Sequence, residues 1–217
     1  IKGVLVYNIQ MLEIFNLLKK NANARIYLIF GFLNSLWFIE ASWYFYWGSF
    51  LSYTQIGLVF SLLVIIGLLA EIPSGVFADR YGRRASVIMG AMLLGVGAIG
   101  VATTKDGWGI IVGTSIMSIG RAFISGALEA LVYDGLVADK LQQHWDRLVA
   151  TKFQVSLLAY IIAVPIGGYL YTIFFRLPNI LEVITLFIAL FVALKLKESK
   201  IESPTVEREI FNLDEFG

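Results

Sequence analysis

The feature that most limits the fold is a succession of long apolar stretches, at about 26–48, 54–78, 86–103, 108–133, 152–174 and 179–196, separated by short polar or charged turns. A helix needs roughly 20 mainly apolar residues to cross the hydrocarbon core of a bilayer, where each backbone amide must find its partner inside the protein. The stretches therefore predict an all-α integral membrane fold, a bundle of six transmembrane helices with the lipid bilayer as its solvent. Composition agrees: 58% hydrophobic residues against 15% charged, and a mean hydropathy of +0.77, are too apolar for a soluble domain of 217 residues.

Several chemistries are excluded at once. A formal net charge of +1 does not supply the concentrated basic surface that nucleic acid requires. The chain has no cysteine, so disulfides, thiolate metal sites and cysteine nucleophiles are absent. Its one histidine, His144, lies in a polar turn beside Gln142 and Gln143, where solvation explains it. No nucleotide-binding loop, metal-ligand cluster or paired nucleophile and base is present. The expectation is a protein that is not an enzyme and needs no metal or cofactor.

Lysine and arginine are concentrated in the loops on the side of residues 75–84 and 140–152 and at both ends, whereas only Lys105 and Arg176 fall on the opposite side. Basic loops stay inside, which predicts a multi-pass protein of the plasma (inner) membrane with both termini cytoplasmic. Residues 1–25 then form a cytoplasmic N-terminal segment, 26–196 the bundle, and 197–217 a charged, proline-containing linker or the start of a central loop. The sequence opens on Ile1, and Met11 begins a more conventional start, so a fragment of a longer protein is expected.

Ionisable groups inside a span cost about 2.5 to 3.5 kcal/mol each on insertion scales, so each needs a partner or a watery cavity. Arg121 in the fourth span cannot neutralise, and must face the bundle interior. Glu40 in the first span shares helical spacing with Trp37, Tyr44 and Trp47. A carboxylate within an aromatic stripe suits an organic cation or a proton; the bland alternative is an interface belt of aromatics around a structurally paired acid. Glu71 and Glu129 lie near the basic loops, and their expected partners are the loop arginines. Glu182, near the outer boundary of the sixth span, is expected to reach water and serve structure only. Small residues at Ala91 and Gly95, and at Gly109 and Gly113, predict close helix packing. Pro73 and Pro165 are expected to interrupt the second and fifth spans, for motion or for shape.

The turn between the second and third spans reads G-V-F-A-D-R-Y-G-R-R over Gly75–Arg84. It resembles the signature loop of the major facilitator superfamily, G-x-L-a-D-R-x-G-R-K/R, with Phe77 in the usual leucine place. Around Arg121 the fourth span is similar to that family's R-x-x-q-G pattern, with Ile124 and Ser125 at the glutamine and glycine places. The fifth span keeps Pro165, Gly167 and Gly168 of an exporter pattern, with its spacing short by one. The resemblance implies the N-terminal six-helix half of a transporter, close to drug antiporters. It implies a conformational latch of Gly75, Asp79, Arg80, Gly82, Arg83 and Arg84, with Asp79 meeting Arg83 and Asp134 completing the network; Glu71 and Glu129, by their own position beside the loop arginines, are expected to join it as a structural or gating salt network. It further implies helix bending at Pro73, Pro165, Gly167 and Gly168, and a second six-helix half as partner, from the same polypeptide or a homodimer.

The function expected is secondary active transport of a small-molecule substrate by alternating access, as proton-coupled efflux through Glu40 and Arg121. A facilitated uptake carrier and a non-transporting membrane scaffold or receptor remain as alternatives.

Overall fold

The computed structural model describes residues 13–198, whose regular elements are all helices, with no strand among them. The expectations for residues 1–12 and 199–217 lie outside the described residues. Helix α1 covers 13–20. It is followed by α2 (Ala22–Asn34), α3 (Trp43–Gly48), α4 (Tyr53–Tyr81), α5 (Arg83–Thr103), α6 (Gly107–Ile124), α7 (Ala127–Ala138), a short 3-10 turn at Gln142–His144, α8 (Trp145–Ile173) and α9 (Leu177–Ala193).

Four segments are long and apolar enough to cross a membrane: Tyr53–Tyr81, Arg83–Thr103, Gly107–Ala138 counted through its break, and Gln142–Ile173. The first and sixth expected spans fall short of that measure. The first is not one helix: α2 and α3 are separated by a turn-rich stretch at 35–42. Its hydrogen bonds are short-range, with Trp37 N–H donating to Ser35 O and Phe38 N–H to Leu36 O. The sixth is α9, a helix of 17 residues, about 25 Å long at the usual rise. The fourth span is also divided, at Ser125–Gly126, where Gly126 takes φ +58°. By contrast, α4 and α8 run continuously through Pro73 and Pro165, so the expected interruptions fall instead in the first and fourth spans.

The helix starts are written locally. Asn21 accepts from Ala24 N–H at the start of α2, Asp106 from Gly109 N–H at the start of α6, and Ser52 with Gln55 closes a capping box on α4. Gly82 turns α4 directly into α5 with φ +94°, a backbone that L side chains rarely adopt.

Helices α5 and α6 make the closest contact. A Cβ placed on Gly90 would lie 2.5 Å from Gly120 O, one on Gly97 would strike Gly113 O, and the converse contacts hold from α6. The close approach therefore uses Gly90 and Gly97 against Gly120 and Gly113, rather than the Ala91–Gly95 and Gly109–Gly113 pairs expected from spacing. Gly95 instead faces the Phe187 ring.

Two apolar clusters fill the bundle. One gathers Tyr27, Phe30, Leu131, Leu136 and Leu148 near the end that carries the Gly82 turn, here the loop end. The other gathers Tyr46, Trp47, Ile56, Val101 and Ile110 toward the opposite end. There Arg176 donates to Ala102 O and Thr104 O at 3.1 and 2.6 Å, and Tyr46 OH donates to Val101 O at 2.7 Å. The cation thereby satisfies carbonyls that the end of α5 leaves without partners.

Candidate functional site

The broken stretch at 35–42 is held from two sides. On α8, Gly167 lies so close to the Phe38 carbonyl that any Cβ there would strike it. On α9, the Glu182 carboxylate accepts the Ile39 N–H over a long 3.5 Å. Gly167 thus serves a close backbone approach, which is a different use from the bend expected of it, and its neighbour Gly168 meets only the Ala41 side chain at 3.3 Å.

Beside this break lies a cavity of about 470 Å³. Arg121 from α6, Glu40 from the break and Glu182 from α9 line it, among Trp37, Trp43, Trp47 and Phe60. The Arg121 guanidinium carbon sits 5.8 Å from the Trp37 ring centre, within cation–π range. Trp43 and Trp47 pack edge-on at 5.5 Å, and Phe60 meets both, which makes one continuous aromatic wall. No cationic nitrogen among the described residues comes within 4.0 Å of Glu40 or Glu182. The cavity therefore holds two carboxylates and one guanidinium with their hydrogen-bonding capacity largely unspent.

Two parts of the expected site change. The stripe of Trp37, Glu40, Tyr44 and Trp47 is not one helical face, because residues 35–42 are not helical; Tyr44 stacks on Tyr53 outside the cavity, and Trp43 takes its place on the wall. Glu182 does not sit at an open outer boundary. It is 8% exposed, a buried acid on the cavity wall. Its apolar neighbours in the sixth span hid it: a residue about a turn and a half into a helix looks shallow until the helix start, at Leu177, is known to be folded into the bundle.

The loop end is organised differently. The Arg83 guanidinium pairs with the Asp134 carboxylate across α5 and α7. Asp79, expected opposite Arg83, makes no hydrogen bond or ion pair with a side chain among the described residues. Arg80 lies over the Tyr81 ring at 5.4 Å, and Arg84 donates to Leu194 O at 2.9 Å. Glu129 meets Lys152 at 3.4 Å and accepts from Tyr27 OH at 3.3 Å, instead of pairing with a loop arginine. Glu71 is exposed and has no such partner among the described residues. Phe77, in the place of the expected leucine, packs edge-on against Phe123 of α6 at 5.3 Å. A hollow of about 380 Å³ runs between Gly75, Asp79 and Arg83 on one side and Ser125 and Gly126 at the fourth-span break on the other. A Cβ on Gly75 would meet nothing within 4 Å.

Three residues that no sequence pattern singles out tie this end together. Asn21 donates to Gly135 O and to Asp139, Asn23 exchanges two hydrogen bonds with the Lys197 backbone, and Glu198 accepts from Arg83 N–H and Arg84 N–H at 3.0 and 2.8 Å. A carboxylate on the first amides of α5 is favoured there by both hydrogen bonding and the helix dipole.

The sequence profile of the Major Facilitator Superfamily matches residues 13–213. The chain belongs to that superfamily. Among curated relatives, an uncharacterized transporter of Buchnera aphidicola subsp. Schizaphis graminum is 30% identical over 111 residues, which is 51% of this chain and 28% of that protein. The human solute carrier family 2, facilitated glucose transporter member 12, is 31% identical over 112 residues, or 52% of this chain and 17% of that protein. A second uncharacterized Buchnera transporter, from subsp. Acyrthosiphon pisum, is 25% identical over 138 residues, covering 63% and 35%. The aligned stretches thus span well under half of these relatives. Membership of the superfamily makes this a multi-pass membrane protein of a transporter family. Non-helical backbone at membrane depth is tolerated in membrane proteins where it is buried in protein or lines a cavity, and 35–42 borders one here.

Proposed function

We propose that this chain is the N-terminal half of a secondary active transporter that exports a small organic cation in exchange for protons by alternating access. The observation that carries the reading is the cavity beside the broken first span, where Glu40, Glu182 and Arg121 stand unpaired against a tryptophan wall. Two carboxylates and one guanidinium leave a net negative charge facing an aromatic surface, and that combination favours a cation with an apolar body.

In this reading the chain contributes six spans, with the first formed by α2 and α3 together and the sixth by α9. Both termini face the cytoplasm of a plasma (inner) membrane, and a second six-helix half, from the same polypeptide or a second copy, closes the cavity. Trp37, Trp47 and Glu40 contact the substrate, while Tyr44 stays outside. Gly75, Asp79, Arg80, Gly82, Arg83, Arg84, Asp134, Glu71 and Glu129 form the latch that opens and closes with the second half. The open hollow at Gly75, which nothing among the described residues fills, supports that assignment.

The test is efflux of ethidium or tetraphenylphosphonium by the full-length protein in proteoliposomes under an imposed proton gradient. Arg121→Ala is expected to abolish gradient-driven efflux with folding intact. Counterflow that ignores a proton uncoupler would turn the reading to facilitated diffusion, and the absence of transport for every solute tried would favour a scaffold or receptor.

Facilitated uptake of a neutral, hydroxyl-bearing solute is the second reading. It is favoured by Trp47 Nε1 and Asn179 Nδ2, two buried donors in cavity-lining residues with no partner, and by the name of the human relative. Uptake of radiolabelled hexose without any gradient is its test.

A further inference from the structure

Among the described residues Glu182 is the one acid that is buried. An acid in that position is tolerated inside a membrane where it holds a cation or a proton, and its surroundings decide which. Among the described residues its carboxylate has no cation within 4.0 Å and one long hydrogen bond, from the Ile39 N–H of the broken first span. The charged groups that face it are Arg121 from α6 and Glu40 from the break itself. From α8 comes Tyr160, packed edge-on against Trp37 at 6.2 Å. Helix α3 contributes Trp43 and Trp47 to the cavity wall, and the Tyr46 hydroxyl is committed elsewhere, to Val101 O. Helices α4 and α5 present only apolar side chains there, Phe60, Leu63, Ala98 and Val101.

We infer that Glu182 is the group at which a proton and a cationic substrate exclude one another, and that its ionised form holds the first-span break through the Ile39 amide. The inference rests on the transport reading of this cavity and adds to it the residue at which exchange takes place. A proton arriving from water binds a Glu182 carboxylate oxygen, and no other bond is made or broken in that step. The cavity then carries one carboxylate and one guanidinium instead of an excess of negative charge, so a cation loses its attraction. At the same time Ile39 N–H exchanges a charged acceptor for a neutral one, and charge-assisted hydrogen bonds are roughly twice as strong as neutral ones. The stretch at 35–42 is thereby loosened by the same proton that expels the substrate. Glu40, partly buried on the cavity wall, attracts the cation without sharing that link to the backbone.

The experiment uses the purified full-length protein and tetraphenylphosphonium as probe, with binding measured in mildly alkaline and mildly acidic solution. Wild type is expected to bind roughly tenfold more weakly in acid, as a change in one neighbouring charge implies. Glu182→Gln should bind weakly at both pH values, Glu182→Asp should regain the pH response, and Glu40→Gln should bind more weakly yet keep it. A Glu182→Gln protein with the wild-type pH response, or a Glu40→Gln protein without one, overturns the inference.

A second measurement does not depend on the substrate. Deuterium uptake by the peptide spanning 35–42, compared between variants at the same pH, reports how firmly the break is held. Uptake in Glu182→Gln should exceed wild type in alkaline solution and match it in acid, with Glu40→Gln following wild type. If wild type binds no tetraphenylphosphonium, the organic-cation reading fails while this comparison still decides the role of Glu182: equal uptake in wild type and Glu182→Gln at both pH values refutes it.

Discussion

Charges at the loop end and charges in the middle of the bundle are handled in opposite ways. At the loop end, Arg83 meets Asp134, Glu129 meets Lys152, Arg147 meets Glu13, and Glu198 caps α5. These groups are partly open to solvent and still paired. In the middle, Glu40, Arg121 and Glu182 stand where pairing is worth most, and no ion pair forms among them. Exposed pairs contribute little energy each, so their value here lies in fixing which helix ends meet. Unpaired groups in a cavity cost stability, and that cost is the mark of a surface meant for something other than the fold.

The sharpest way to break the contrast is at Gly167. Replacing it with Val puts a side chain onto the Phe38 carbonyl and should cost at least about 1–3 kcal/mol, the range for overpacking, seen as a marked fall in thermal stability in detergent. Gly168→Ala, with only the Ala41 side chain nearby, should cost much less, and equal losses at the two positions would mean that the break is not pinned at Phe38. Next comes Glu198→Ala, which removes the cap from α5 and should lower stability by about 0.5–1 kcal/mol, the lower part of the range for helix caps. A double-mutant cycle on Arg83→Ala and Asp134→Ala should return a coupling below about 1 kcal/mol, because the two side chains are 40% and 25% exposed. A coupling several times larger would erase the distinction between the two levels. The smallest effect belongs to Gly75→Ala: stability should be unchanged or raised by up to about 1 kcal/mol, as for glycine in a helix, while transport by the full-length protein falls. A loss of stability would show that Gly75 serves its own bundle.

The helical class and the transporter family were legible in the chain because apolar length and the Gly75–Arg84 pattern are both local. The second, third and fifth spans are equally local, and helices α4, α5 and α8 cover them. What the sequence hid was the loss of helix inside an apolar run. Residues 35–42 carry no proline and no glycine, so nothing in their composition announces the break; it is imposed by Gly167 and Glu182, far along the chain. The same distance hid Glu182, whose depth depends on how α9 enters the bundle, and Glu198, whose partners are amides more than a hundred residues earlier. Arg121 and Glu40 could be singled out because a charge in an apolar run is visible by itself. That they stay unpaired could not be read there, because ion pairing is a property of packing.

One consequence follows from the glycine seam between α5 and α6. Gly90 and Gly97 are the same distance apart along α5 as Gly113 and Gly120 along α6, and the two helices run antiparallel, so both contacts close together or not at all. Sliding one helix by a turn would bring Leu94 and Val101, both buried, against backbone that has room only for hydrogen. The seam therefore works as a ruler with a single setting. These two helices keep step with each other whatever the rest of the molecule does, and any change of shape has to be taken up outside them, where the first span already departs from helix.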